Sequence, residues 1–276
     1  MSAVPHAVRG TSRPSALHVL ATNEARRLLC HPLNLLGVAM WCIAVGTDAW
    51  AGPRPAFTAL TAPMTLFWGV PVFFAANLVT SSARRAGTEE LLEGLPRWRE
   101  DRTGALCLAA LAPFFMGVAA QALLSCLYLV TGNQLERFPT IAELACGPLN
   151  LLGGCLLGIA VARWTPWPGA PLLIMIILVR VNQYVNTAGA GDGQETGPFY
   201  LLGFYADFAL WGPHPYLAAI GFNPGSVGWH AVYLLGLCLG AGALAMLADS
   251  SRRRLWLAVG ALAVVVVAFA GIRVLL

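Results

Sequence analysis

The stretch GALCLAALAPFFMGVAAQALLSCLYLVT, residues 104–131, runs for 28 positions without one charged side chain. As an α-helix it extends about 42 Å, more than the ~30 Å hydrocarbon core of a bilayer. An apolar run of that length has no place in a water-soluble domain of this size, and a spanning helix satisfies every backbone polar group internally. Working outward in both directions, similar runs occupy 33–50, 57–81, 142–163, 170–188, 227–248 and 255–276. The expected fold is all-α: a polytopic membrane bundle of six core transmembrane helices within 33–248, with a seventh at 255–276.

Composition agrees. Hydrophobic residues fill 58% of the 276 positions and charged residues only 11%. The mean hydropathy is +0.68. A soluble domain carries about a quarter of its residues as charges, so most of this surface faces lipid. All 17 basic residues are arginine. The seven cysteines (Cys30, Cys42, Cys107, Cys126, Cys146, Cys155 and Cys238) stand singly and read as small apolar packing residues, with no CxxC pair or Cys/His cluster.

The arginines set the orientation. With the N-terminus inside, Arg9, Arg13, Arg26, Arg27, Arg84, Arg85, Arg97, Arg99, Arg102, Arg163 and Arg252 to Arg254 all fall on the cytoplasmic side. Only Arg54, Arg137 and Arg273 fall outside, and Arg180 lies within a span. This satisfies the positive-inside rule for a multi-pass membrane protein with its N-terminus in the cytoplasm. Seven spans place the C-terminal end outside.

Besides the N-terminal tail, three segments do not span. Residues 1–14 read as a disordered cytoplasmic tail, and 15–32 as an amphipathic helix in the inner interface that Pro32 separates from the first span. On its wheel Leu17, Leu20, Ala21 and Leu28 share one side with Arg26 opposite. Glu24 interrupts the apolar stripe unless an arginine of a neighbouring loop pairs with it. The second segment is the cytoplasmic loop 82–103. There Thr88, Leu91, Leu92 and Leu95 group against Glu89, Glu90 and Glu93, bracketed by Gly87 and Pro96. So short a helix does not persist alone and needs a partner surface; the simpler alternative is an ordinary surface helix with a solvated acidic face. The third, 189–226, is external, and its aromatics (Phe199, Tyr200, Phe204, Tyr205, Phe208, Trp211) suit helices dipping into the outer interface.

No catalytic constellation appears. A P-loop requires a lysine, which the chain lacks, and neither HExxH nor a histidine cluster is present. No metal site and no nucleic-acid-binding surface are indicated. The chain is therefore expected to carry no catalytic site and no cofactor of its own.

The residues do carry a resemblance. An N-terminal amphipathic helix with ExRR (Glu24, Arg26, Arg27) precedes two spans. Then comes RRxGTEELLxGLPxxxxxRxxxxxLAALxP, from Arg84 to Pro113. This order resembles a type 2 ABC transporter permease. WHAVYLLGL from Trp229 to Leu237 and RRRL from Arg252 to Leu255 are similar to actinobacterial members. The likeness covers nearly the whole chain by topology and about forty residues by motif, and departs from the six-span minimum by one apolar segment.

The resemblance implies a permease subunit of an exporter that dimerises with itself or a sister permease, contacts membrane lipid, and is driven by two copies of a separate cytoplasmic ABC ATPase, which holds ATP and Mg. Thr88, Glu89, Glu90, Leu91, Leu92, Glu93, Leu95 and Pro96 would form the coupling helix. Residues 15–32, with Glu24, Arg26, Arg27, Arg84 and Arg85 as contacts, would form the elbow, and 197–222 the external re-entrant helices. The rivals are a non-transporting immunity or scaffold protein and, further off, a membrane-embedded lipid-modifying enzyme.

Arg180 stands nine residues after Pro171, about 14 Å along the fifth span. Against lipid it would cost at least ~2.5–3.5 kcal/mol, so it should face the bundle or water. With Asn182, Gln183 and Asn186 it forms a candidate translocation path. The alternative is a structural arginine that caps carbonyls or reaches Asp48, Glu143 or Asp207. Gly154 with Gly158, and Gly236 with Gly240, have the GxxxG spacing of close helix contact, and Pro63 and Pro71 predict a kinked second span.

Overall fold

A computed structural model describes residues 13–48, 60, 63–87, 99–131, 138–178, 180 and 227–275. Helices account for most of them and no strand occurs among the described residues. Helix α1 is Arg13–Leu29 and α2 is Pro32–Asp48; a π-helical turn at Met64–Gly69 leads into α3, Val70–Thr80. A short α4 covers Ser82–Arg85. Helices α5 (Arg99–Ala109) and α6 (Leu111–Thr131) continue as one 33-residue helix. Helix α7 is Ile141–Trp164, α8 is 170–178, α9 is Val227–Asp249 and α10 is Arg253–Leu275.

Four of these helices, Arg99–Thr131, Ile141–Trp164, Val227–Asp249 and Arg253–Arg273, are long and apolar enough to cross a bilayer. A fifth is added if Leu17–Leu29 and Pro32–Thr47, bent by 54°, count as one span. The chain is an α-helical membrane bundle. The apolar helix Met64–Thr80 falls short of a full crossing among the described residues. Most of the expected tail, the acidic segment Thr88 to Pro96, the polar residues Asn182, Gln183 and Asn186, and the external helices 197–222 lie outside the described residues.

Helix α7 is the axis of the bundle. It starts on a capping box, in which Glu143 N donates to Thr140 Oγ1 while Thr140 N donates to Glu143 Oε2 at 2.7 Å. Its body is rich in glycine, and Gly158 lets α3 approach so closely that a Cβ there would run into the Phe73 carbonyl. Asn77 completes that contact by donating Nδ2 to Gly158 O at 3.1 Å. On other sides α7 meets α6 and α9, and α10 packs on α9 from outside. The second glycine pair serves that outer contact: Cβ positions built at Gly236 and Gly240 lie 2.8 Å from Val267 Cγ2 and 3.7 Å from Ala263 Cβ.

Between the two prolines of the second span lies a feature the sequence did not specify, a π-helical turn. Pro71 has no N–H for the carbonyl of residue 67, and its ring crowds that carbonyl. The turn ahead of it widens to a π-helix over Met64–Gly69, which relieves both problems. Pro32 likewise separates α1 from α2. There Leu33 N donates to His31 Nδ1 at 3.2 Å, Asn34 Nδ2 to Leu29 O at 3.0 Å, and Trp68 Nε1 to Asn34 Oδ1 at 3.0 Å.

Candidate functional site

The polar side chains converge on one end of the bundle, where α1, α3, α7 and α9 terminate and α5 and α10 begin. Helix α1 lies there beside α5, with Ala21 and Leu28 buried and Arg26 exposed, the rotation its wheel predicts. Glu24 is paired, though with an arginine of its own helix. Arg27 Nη1 donates to both Glu24 oxygens at 3.0 and 2.9 Å. Arg27 Nη2 then donates to Ser82 Oγ at 2.9 Å, and that hydroxyl donates to Val79 O at 2.8 Å. The pair is worth at most about 1 kcal/mol, since Arg27 is half-exposed. Its structural effect is to tie α1 to α4.

Arg84 and Arg85, both on α4, reach in different directions. Arg84 Nη1 donates to Ala162 O at 3.3 Å, in the last turn of α7. Arg85 Nη2 donates to Leu78 O at 2.5 Å, in the last turn of α3. Helix C-termini leave their final carbonyls unsatisfied and carry partial negative charge, so a guanidinium there meets a donor deficit and a dipole together. One four-residue helix thus holds the ends of two long ones.

A second network lies across the same end. Arg163 Nε stands 3.2 Å from Asp249 Oδ2, both side chains about nine-tenths buried, and Thr103 Oγ1 donates to the same Asp249 oxygen at 2.7 Å. Ser251 donates to Glu100 Oε2 through its N and Oγ at 3.3 and 3.2 Å. Trp164 Nε1 donates to Leu244 O at 2.8 Å. These contacts join α5, α7 and α9. The sequence reading missed them, although Arg163 and Asp249 were visible as charged residues at the ends of two spans.

Between α1, α3, α5 and α7 lies a partly open cavity of about 290 Å³. Its polar lining is Glu24, Arg27, Thr80, Ser82, Arg102 and Arg163. His31 at the α1–α2 junction feels this end of the molecule: burial, then the charges of Arg85 and Arg27, hold its pKa below the usual imidazole value. Its Nδ1 is thereby kept available as the acceptor for Leu33 N.

Arg180 is elsewhere. It is exposed, and among the described residues no hydrogen-bond or ion-pair partner accompanies it. Leu172, Leu173, Ile176 and Ile177 on α8 are exposed at the preceding turns, so its neighbours on that side are apolar. Glu143, one acid considered for it, is buried in the capping box at the start of α7. Among the described residues no group of three or more His, Cys, Asp or Glu could hold a metal ion.

What fold and site define together is a helical integral membrane protein with a polar, arginine-rich end. No family model matches the chain, and neither a curated protein nor a solved structure matches it.

Proposed function

We propose that this chain is the permease subunit of an ATP-driven ABC exporter in a bacterial plasma membrane. In this reading six core helices and a seventh cross the bilayer, the N-terminus and the arginine-rich end are cytoplasmic, two permease subunits pair, and a separate ATPase supplies the energy. The family that the sequence resembles mostly exports, and the apolar, aromatic external segment favours amphipathic cargo.

One observation carries the reading: both flanks of the segment 88–98 are anchored to several helices. Upstream, Ser82 binds α1 through Arg27, while Arg84 and Arg85 hold the ends of α7 and α3. Downstream, Glu100 and Thr103 bind Ser251 and Asp249 at the end of α9. A push delivered by a partner to residues 88–95 would reach five helices at once, which is what coupling ATPase closure to helix tilt requires. The ExRR residues fit the same scheme, since Arg27 makes the tether and Arg26 is exposed.

The test is co-expression with a P-loop ATPase encoded beside the gene. The wild-type chain should co-purify with it and stimulate its ATP hydrolysis, and Leu91→Asp or Leu92→Asp should abolish both. Normal assembly and stimulation by both variants would remove the coupling assignment. Labelling from outside intact cells of a cysteine placed at Glu93 would reverse the orientation and end the reading.

A further inference from the structure

The cavity beside α1 holds a charge imbalance that its walls do not resolve. Three guanidinium groups, Arg27, Arg102 and Arg163, face one carboxylate, Glu24. Both Glu24 oxygens are already engaged by Arg27, and Arg163 has Asp249 beside it. Arg102 has no hydrogen-bond or ion-pair partner among the described residues. Thr80 also lines the cavity, but its Oγ1 is buried away from the open space. Of the acids that flank Arg102 on α5, Glu100 receives Ser251 and Asp101 is exposed.

A half-buried guanidinium without a partner, facing a small space beside a second guanidinium, wants an acceptor-rich anion. A phosphate supplies three or four oxygens of the required kind. The volume of about 290 Å³ admits a phosphate with a glycerol attached but not acyl chains. One wall is α1, an amphipathic helix of the kind that lies at headgroup depth.

From this geometry we infer that the cavity is a binding site for a phosphate-type anion, with Arg102 as its principal ligand and Arg27 beside it. The anion is either the headgroup of an anionic phospholipid or a free phosphate. The inference does not depend on the transport reading, because it concerns only what the cavity holds.

The experiment uses the full chain in nanodiscs of phosphatidylcholine alone, of phosphatidylcholine with phosphatidylglycerol, and of phosphatidylcholine with inorganic phosphate at constant ionic strength. Thermal unfolding is followed by tryptophan fluorescence, and retained lipid by native mass spectrometry. Either phosphatidylglycerol or inorganic phosphate should raise the midpoint of the wild type. A response to phosphatidylglycerol alone identifies a headgroup, and a response to phosphate in pure phosphatidylcholine identifies the free anion. Arg102→Gln should weaken the response about ten-fold or more, as expected for losing a charge-assisted hydrogen bond. Arg102→Lys, which keeps the charge, should retain most of it. Arg254→Gln, at an exposed position on α10, should leave it unchanged. The inference is overturned if neither probe shifts the wild type. It is equally overturned if Arg102→Gln responds as the wild type does.

Discussion

Helices α7 and α10 are nearly equal in length, and they stand in opposite relation to the rest of the chain. The apolar window of α7 has a mean hydropathy of 1.9 and is 78% buried; that of α10 reaches 2.6 and is only 17% buried. The greasier helix is the one left outside. In a soluble protein the order would be reversed, because water drives the most apolar helix inward. In lipid that force between helices vanishes, and the interior goes to the helix whose small and polar residues permit close packing and hydrogen bonds. Helix α7 supplies Gly147, Gly158, Cys155, Asn150 and Glu143, all buried. Helix α10 supplies Leu257, Leu262, Val264, Val265 and Phe269, all exposed.

The contrast is tested first at the glycines. Gly158→Leu should cause the largest loss, with no monodisperse protein in detergent, because the new side chain would have to displace the α3 backbone at Phe73. Gly260→Ala on α10 should be neutral or slightly stabilising, since its Cβ would meet only Ala243 Cβ at 3.9 Å. Similar damage from both would mean that α7 is not the buried axis.

The arginines at the ends of the two helices come next. Arg163→Ala strands the buried Asp249 and should destabilise by about 3 kcal/mol, read as a lowered melting temperature in detergent. Replacing Asp249 by asparagine in the same chain should recover part of that loss. Arg273, exposed over the Trp229 ring at 5.5 Å, should yield less than about 1 kcal/mol on mutation to alanine.

A third probe asks what α10 faces. Val264→Arg places a charge on its exposed side and should reduce membrane insertion by about 2.5–3.5 kcal/mol on a glycosylation-reporter assay. Val264→Leu, the smallest change, should stay within about 0.5 kcal/mol. Equal insertion of both variants would mean that this face does not meet lipid.

Much of the scaffold was legible from residue order. Expected limits of 142–163 and 227–248 compare with Ile141–Trp164 and Val227–Asp249, because a change from apolar to charged residues marks where a helix leaves the bilayer. Pro32 marked the α1–α2 break, and the wheel of α1 gave its buried side correctly. What did not show was how the spans turn toward one another. A helix that is apolar on every side carries no rotational signal, so the meeting of Arg163 with Asp249 had no counterpart in periodicity. The tether from Arg27 to Ser82 joins residues 55 positions apart, and no local pattern encodes it. One signal was present and passed over. Thr140 to Glu143 reads TIAE, a capping-box sequence, yet Glu143 was considered only as an acid for Arg180.

The continuous helix Arg99–Thr131 has a geometric consequence of its own. Its 33 residues make a rod about 50 Å long, against a hydrocarbon layer of ~30 Å. Some of it must overhang the bilayer, and Glu100 and Asp101, charged and in the first turn, mark the end that does so. Tilting such a rod by about 10° around its far end would sweep that overhang sideways by roughly 9 Å, with no bond inside the helix broken.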